Sequence, residues 1–299
     1  MTGPADPVGA PPAHPAVRPA SPAPGVVVDA PTVGDRLGIV AYTNVAPLHW
    51  GLEPWTGARF YRGVPTDLNA RLLAGELDLT LVSSAEFVRH RDRLVALPDI
   101  SLATLGPVHS VTLFHRRPWA ELRGGRVAVT TESATSVALL RALFDADGMD
   151  VAFEPVAPDL DAMLAEYDGA LLIGDAALEE AVAGRPIAGA VPLATDLGEA
   201  WYARTKLPFT FAVWAADAAR PPSPRLVAEL RAARERGLGH LADVAHAEAA
   251  ARGLSDSVVL RYLANFRYFL TRPDRDGLDA FAARVDPTFR PGELRFWDL

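Results

Sequence analysis

The chain has 299 residues, 49% of them apolar, and can bury a substantial core as one large domain or two of ordinary size. Cysteine is absent, which excludes disulfides, thiolate-bound zinc, iron–sulfur clusters and a cysteine nucleophile. A formal charge of −8 with dispersed arginines excludes a general nucleic-acid binder, because such proteins cluster Lys and Arg to displace counterions from phosphates.

No apolar run reaches the roughly 18 residues of a membrane span. An anionic ligand would have to be captured locally, by hydroxyls, backbone N–H groups and helix N-termini. Residues 1–34 carry Pro at 4, 7, 11, 12, 15, 19, 22, 24 and 31 and read as a disordered, extended Pro/Ala-rich tail outside the fold. They show neither a basic n-region nor a compact apolar h-region, so the expected location is the cytoplasm.

Leu37–Val40 is a short buried-strand pattern, and Tyr42-Thr43-Asn44-Val45-Ala46-Pro47-Leu48 follows as a loop running into a short helix. Thr66 is placed to cap a helix through Leu72 and Leu73, which Gly75 ends. A strand is expected at Leu77–Val82, a helix near Glu86–Arg91, and further strands at Leu94–Leu97, Ser101–Leu105 and Ser110–His115. Arg126–Thr130 opens a second α/β unit, in which Thr131–Ser136 starts a helix with Val137, Leu139, Leu140 and Leu143 as its apolar stripe. Gly169–Ile173 is a strand running into Gly174-Asp175, with Asp175 placed as a helix N-cap. A last strand at Thr210–Ala215 precedes helices from about Pro224, Ser255 and Asp274. Such α/β alternation fits either two lobes closing over a ligand or a single doubly wound sheet.

Five segments place small hydroxyl, amide or glycine residues just past strand ends, where open α/β sheets bind ligands. They are Tyr42-Thr43-Asn44, Ser83-Ser84, Gly106-Pro107-Val108-His109-Ser110, Ser133-Ala134-Thr135-Ser136 and Gly174-Asp175. Each one alone is an ordinary cap or turn; five together describe a polar cleft. Ser133–Ser136 suits a carboxylate, since hydroxyls and free N–H groups at a helix start both donate to an anion. Asp175 would repel one and could meet only a hydroxyl. The seven histidines form no metal pattern, and the acidic and basic residues of 225–256 read as a solvated helix face. Most of the six tryptophans read as core packing.

The combination resembles the chorismate dehydratases of the futalosine pathway to menaquinone. The matching stretches are Tyr42–Leu48, Gly75–Asp78, Ser83–Phe87, Leu97–Ile100, Gly106–Val111, Thr135–Val137, Leu172–Leu178 and Leu207–Trp214. The resemblance implies a two-lobed α/β clamshell of the type II periplasmic-binding-protein kind, joined by two crossing hinge strands. Lobe one is then expected at 35–112 plus 211–299, and lobe two at 113–210. It further implies loss of water from chorismate, a small dicarboxylate, to give 3-[(1-carboxyvinyl)oxy]benzoate, with no cofactor, metal or nucleic-acid partner.

The family's active-site Asn and Ser map onto Asn44 and Ser110 as catalytic residues. Tyr42, Ser83, Ser84, His109, Ser133, Thr135, Ser136, Gly174 and Asp175 are the expected substrate-binding residues. Thr43 stands where the family usually has an apolar residue, and His109, beside the key Ser, is placed either as an acid for the departing hydroxyl or pointing away. Two alternatives share this clamshell: a solute-binding protein for a small anion, and the related enzyme acting on dehypoxanthinyl futalosine.

Overall fold

A computed structural model describes residues 34–53, 55 and 57–298 together with the backbone of 27–28. Of the extended tail expected at 1–34, only Gly34 and a two-residue strand, β1 (Val27–Val28), are therefore described. The first lobe begins with β2 (Arg36–Val40), a 3-10 turn at Thr43–Val45, α1 (Ala46–His49), β3 (Arg59–Gly63) and α2 (Pro65–Leu73). It continues with β4 (Leu79–Ser83), α3 (Ser84–Arg89) and the long β5 (Leu94–Thr104). The second lobe holds β6 (Val111–His115), β7 (Arg126–Thr130), α4 (Ala134–Ala146), β8 (Ala152–Val156) and α5 (Leu160–Glu166). Next come β9 (Gly169–Ile173), α6 (Gly174–Ala183), β10 (Leu193–Asp196) and α7 (Leu197–Thr205). The chain then returns to the first lobe as β11 (Phe209–Asp217), α8 (Pro224–Gly239), α9 (Leu241–Arg252), α10 (Asp256–Ala264), β12 (Phe266–Arg267) and α11 (Arg272–Val285).

The elements form two sheets, of seven strands in the order β1-β3-β2-β4-β11-β5-β12 and of five in the order β10-β6-β9-β7-β8. In the first, β2 is parallel to β3 and β4, and β11 runs antiparallel between β4 and β5. In the second, β7 is parallel to β8 and β9, and β6 is antiparallel to β9 and β10. This is the two-lobed α/β arrangement, and it decides against a single doubly wound sheet.

The chain crosses between sheets after Thr104 and returns just before Phe209, which is Thr104's own ladder partner. The two crossings therefore leave the first lobe side by side, the geometry of a hinge. Asp196, the N-cap of α7, stiffens the first crossing by accepting from the backbone N–H groups of Val108 (3.0 Å) and His109 (2.6 Å). Tight packing fixes the start of α7 to it: a Cβ on Gly198 would stand 2.6 Å from the Gly106 carbonyl oxygen.

Strands of both lobes are buried on both faces, as in β4, β6, β9 and β11, which explains their near-continuous apolar runs. Local chemistry sets the helix starts. Ser223 accepts from the Leu226 N–H at 3.1 Å with Pro224 at the first helical position. The expected cap at Thr66 is displaced because Pro65 takes the first helical position of α2 and Val64 becomes the N-cap. Thr271 and Asp274 form a reciprocal capping box, so α11 starts two residues before the expected Asp274.

Candidate active site

Between the lobes, the carboxyl ends of β2 and β4 face the start of β6, the end of β9 and the N-termini of α4 and α6. They enclose a cavity whose polar lining comes from Tyr42, Asn44, Ser83, Ser110, Ser133, Thr135 and Ser136, with Gly174 beside them. Val40, Leu81, Leu102, Val108, Ile173 and Phe211 supply the apolar part. The free space is about 60 Å³, well below the ~300 Å³ at the low end for ligand sites, so a ligand of chorismate size needs the lobes to part. A wider cleft of about 790 Å³ lies beside it between α3, α4 and α11, sharing Ser133.

Eight of the eleven expected site residues thus line one cavity, and three do not. Ser84 is buried, but its hydroxyl donates to the Thr210 carbonyl at 2.6 Å and pins α3 to β11. His109 is exposed, with a left-handed φ of 64°, and its N–H rather than its ring is engaged. Asp175 is neither the N-cap of α6, which is Ile173, nor a cavity residue. Its carboxylate accepts from the Thr43 N–H at 3.1 Å and pairs with Arg252 at 2.7 Å.

Arg252 also binds Glu248 at 2.7 Å, which makes Asp175–Arg252–Glu248 a largely buried clasp joining α6 of one lobe to α9 of the other. Burial drives the Glu248 carboxyl upward, and Asp175 adds to this, while Arg252 and Arg62 oppose it. Burial pulls the Arg252 guanidinium down, but Asp175 and Glu248 outweigh that and hold it above its ordinary range. Two further bonds cross the cleft. The Tyr42 hydroxyl donates to Glu132 at 2.9 Å, and the Ala85 N–H donates to Thr135 Oγ1 at 2.8 Å. Burial, reinforced by Glu132, raises the Tyr42 phenol above its ordinary value, so it remains a donor.

Gly174 is required where it stands. Its φ of 62° is left-handed, its N–H donates to the Ser110 carbonyl at 2.8 Å, and an added Cβ would come 3.1 Å from the Tyr42 ring. At the start of α4, Ser133 accepts from the Ser136 N–H at 3.1 Å and donates to Ser136 Oγ at 3.0 Å. Thr135 Oγ1 is an acceptor from Ala85, so the hydroxyl protons of Thr135 and Ser136 remain for the cavity. Hydroxyl protons and free N–H groups at a helix start are donors of the kind a carboxylate accepts from. Ser83 likewise accepts from Asn69 Nδ2 at 3.2 Å and keeps its own proton.

The most informative feature is a set of unsatisfied oxygens. Among the described residues lining the cavity, Asn44 Oδ1 and Ser110 Oγ are the buried side-chain atoms without a hydrogen-bond partner. Thr43 Oγ1 and the Tyr262 hydroxyl are also buried and unpartnered. Unpaired buried polar atoms cost about 1–3 kcal/mol each, and their gathering marks a place where a ligand completes the bonding. No group of three or more His, Asp or Glu suited to a metal occurs among the described residues.

The sequence pattern did not disclose Asn69, Glu248, Arg252 or Tyr262. Glu248 is 4% exposed, which corrects its expected place on a solvated helix face. The available signal was a Glu-x-x-x-Arg spacing at 248 and 252, which is usually a surface pair. Tyr262 sits on the buried stripe of α10 with Val259 and Leu263 and reads from sequence as core packing.

A family model described as menaquinone biosynthesis matches residues 36–286. The chain is 46% identical over 265 residues to the chorismate dehydratase of Thermus thermophilus, an alignment spanning 85% of this chain and 96% of that protein. Among solved structures, a protein from Archaeoglobus fulgidus superposes with a TM-score of 0.65 at 18% identity, covering 85% of this chain and 98% of that one. The periplasmic aliphatic sulphonate binding protein SsuA of Escherichia coli gives 0.59 at 16% identity, covering 90% and 93%. At these identities the structural matches establish the fold, a periplasmic-binding-protein-like clamshell. The sequence matches over nearly the whole described region go further: the chain belongs to the menaquinone biosynthesis family.

Proposed function

We propose that this protein is a chorismate dehydratase, a carbon–oxygen hydro-lyase converting chorismate to 3-[(1-carboxyvinyl)oxy]benzoate and water. Near-complete coverage of a 46% identical chorismate dehydratase supports the assignment. The observation that carries it is local. Asn44 and Ser110, the two residues expected to act, are the cavity residues whose buried oxygens lack partners.

The chemistry suits such a site. The proton on the ether-bearing ring carbon is acidified through the diene by the ring carboxylate, and aromatisation drives loss of the neighbouring hydroxyl. The substrate's own side-chain carboxylate serves as base, while Asn44 and Ser110 orient the ring and stabilise charge as the proton leaves. Ser133, Thr135 and Ser136, with the start of α4, hold a carboxylate. Closing the lobes then replaces water by these fixed donors. As the motif resemblance implies, the step belongs to the futalosine route.

The test is incubation of purified protein with chorismate, following loss of the diene absorbance and appearance of the benzoate product. Turnover is expected without added cofactor. Tight binding without turnover would make the protein a receptor, and consumption of dehypoxanthinyl futalosine with inert chorismate would assign it to the related enzyme.

A further inference from the structure

Tyr262 lies outside the cavity lining yet faces the two residues assigned to the reaction. Its helix, α10, packs on the turn at Thr43–Val45 that carries Asn44. The ring is held edge-on by Phe266, with centroids 5.2 Å apart, and the residue is 2% exposed. Ser110 and Asn44 both stand close enough to act on the hydroxyl. Even so, the Tyr262 hydroxyl, Ser110 Oγ and Asn44 Oδ1 lack a well-formed hydrogen bond. A core tyrosine serving packing alone normally finds a partner for its O–H.

We infer that Tyr262 is a positioning residue for the dehydration: its hydroxyl donates to Ser110 Oγ when substrate binds, turning the Ser110 proton into the cavity. This rests on the function proposed above. Ser110 has one proton and two lone pairs, so an incoming bond from behind leaves its proton for the substrate. Burial holds the Tyr262 phenol above its ordinary value, which keeps it protonated as a donor. Catalytic hydrogen bonds are often long before the substrate is bound and tighten in the complex, in keeping with the loose trio seen here.

The experiment compares the parent, Tyr262→Phe, Ser110→Ala and the double variant with chorismate, measuring kcat, KM and Tm. Tyr262→Phe is expected to lower kcat about 10- to 100-fold with KM nearly unchanged. Its Tm should hold or rise, because only an unpaired buried hydroxyl is removed. The double variant should be no slower than Ser110→Ala, since Tyr262 acts through that serine. A kcat within about twofold of the parent, a marked fall in Tm, or multiplicative losses in the double variant would each overturn the inference. An inert parent would instead reject the function on which it rests.

Discussion

Ser110→Ala and Asn44→Ala are each expected to lower kcat on chorismate by about 100- to 1,000-fold, the usual effect of losing one preorganised donor at a reacting centre. Thermal stability should move the other way or not at all. Ser110 is fully buried and its Oγ is unpartnered, so replacing it with a methyl group removes a desolvated oxygen and breaks no bond. Asn44 is 8% exposed, and its Oδ1 is in the same condition. A side chain retained for folding would behave in the opposite sense, losing stability first. Near-normal rates in both variants, measured beside their melting curves, would remove the proposed roles.

Arg252→Leu should give the largest loss of stability. Arg252 answers two carboxylates, Asp175 and Glu248, each at 2.7 Å, and the three side chains are 12%, 19% and 5% exposed. Breaking a buried pair by removing one partner typically costs about 3–5 kcal/mol, because the remaining charge stays desolvated. For a chain of this size that corresponds to a fall in Tm on the order of 10 °C. The deficit should shrink as pH falls, since protonation of Glu248, already raised by burial, relieves the unpaired charge. KM should rise as well, because Asp175 belongs to the second lobe while Arg252 belongs to the first. An unchanged melting curve for Arg252→Leu would show that the clasp carries no stability.

The buried apolar strands and the hydroxyl-rich loops at their ends were legible from sequence because they obey local rules, whereas the less buried β3, β8 and β10 had no such pattern. Arg126–Thr130 and Gly169–Ile173 are apolar runs bounded by polar or turn residues, and the strands occupy those same residues. Leu94–Leu97 and Ser101–Leu105 instead fuse into one strand, β5, because β11 pairs with both sides of the interruption at Pro98 through a register shift between Val213 and Ala215. Among the expected site residues, those at strand ends line the cavity, whereas the Ser84 hydroxyl is engaged by Thr210, 126 residues away. Asp175 shows the same limit. Its sequence context is that of a helix cap, and only the arrival of α9 converts it into a partner for Arg252. Tyr262 had no local signature, since an orphaned hydroxyl can be recognised only when all its neighbours are in place.

The cavity between the lobes is expected to bind the reacting ring against Asn44 and Ser110. A crystal structure with 3-[(1-carboxyvinyl)oxy]benzoate bound tests it most directly. The expected result is one carboxylate on the start of α4, at Ser133, Thr135 and Ser136, with Asn44 and Ser110 hydrogen-bonded to the product and the cavity widened around it. Product seated elsewhere, with the Asn44 and Ser110 oxygens still unpartnered, would contradict it.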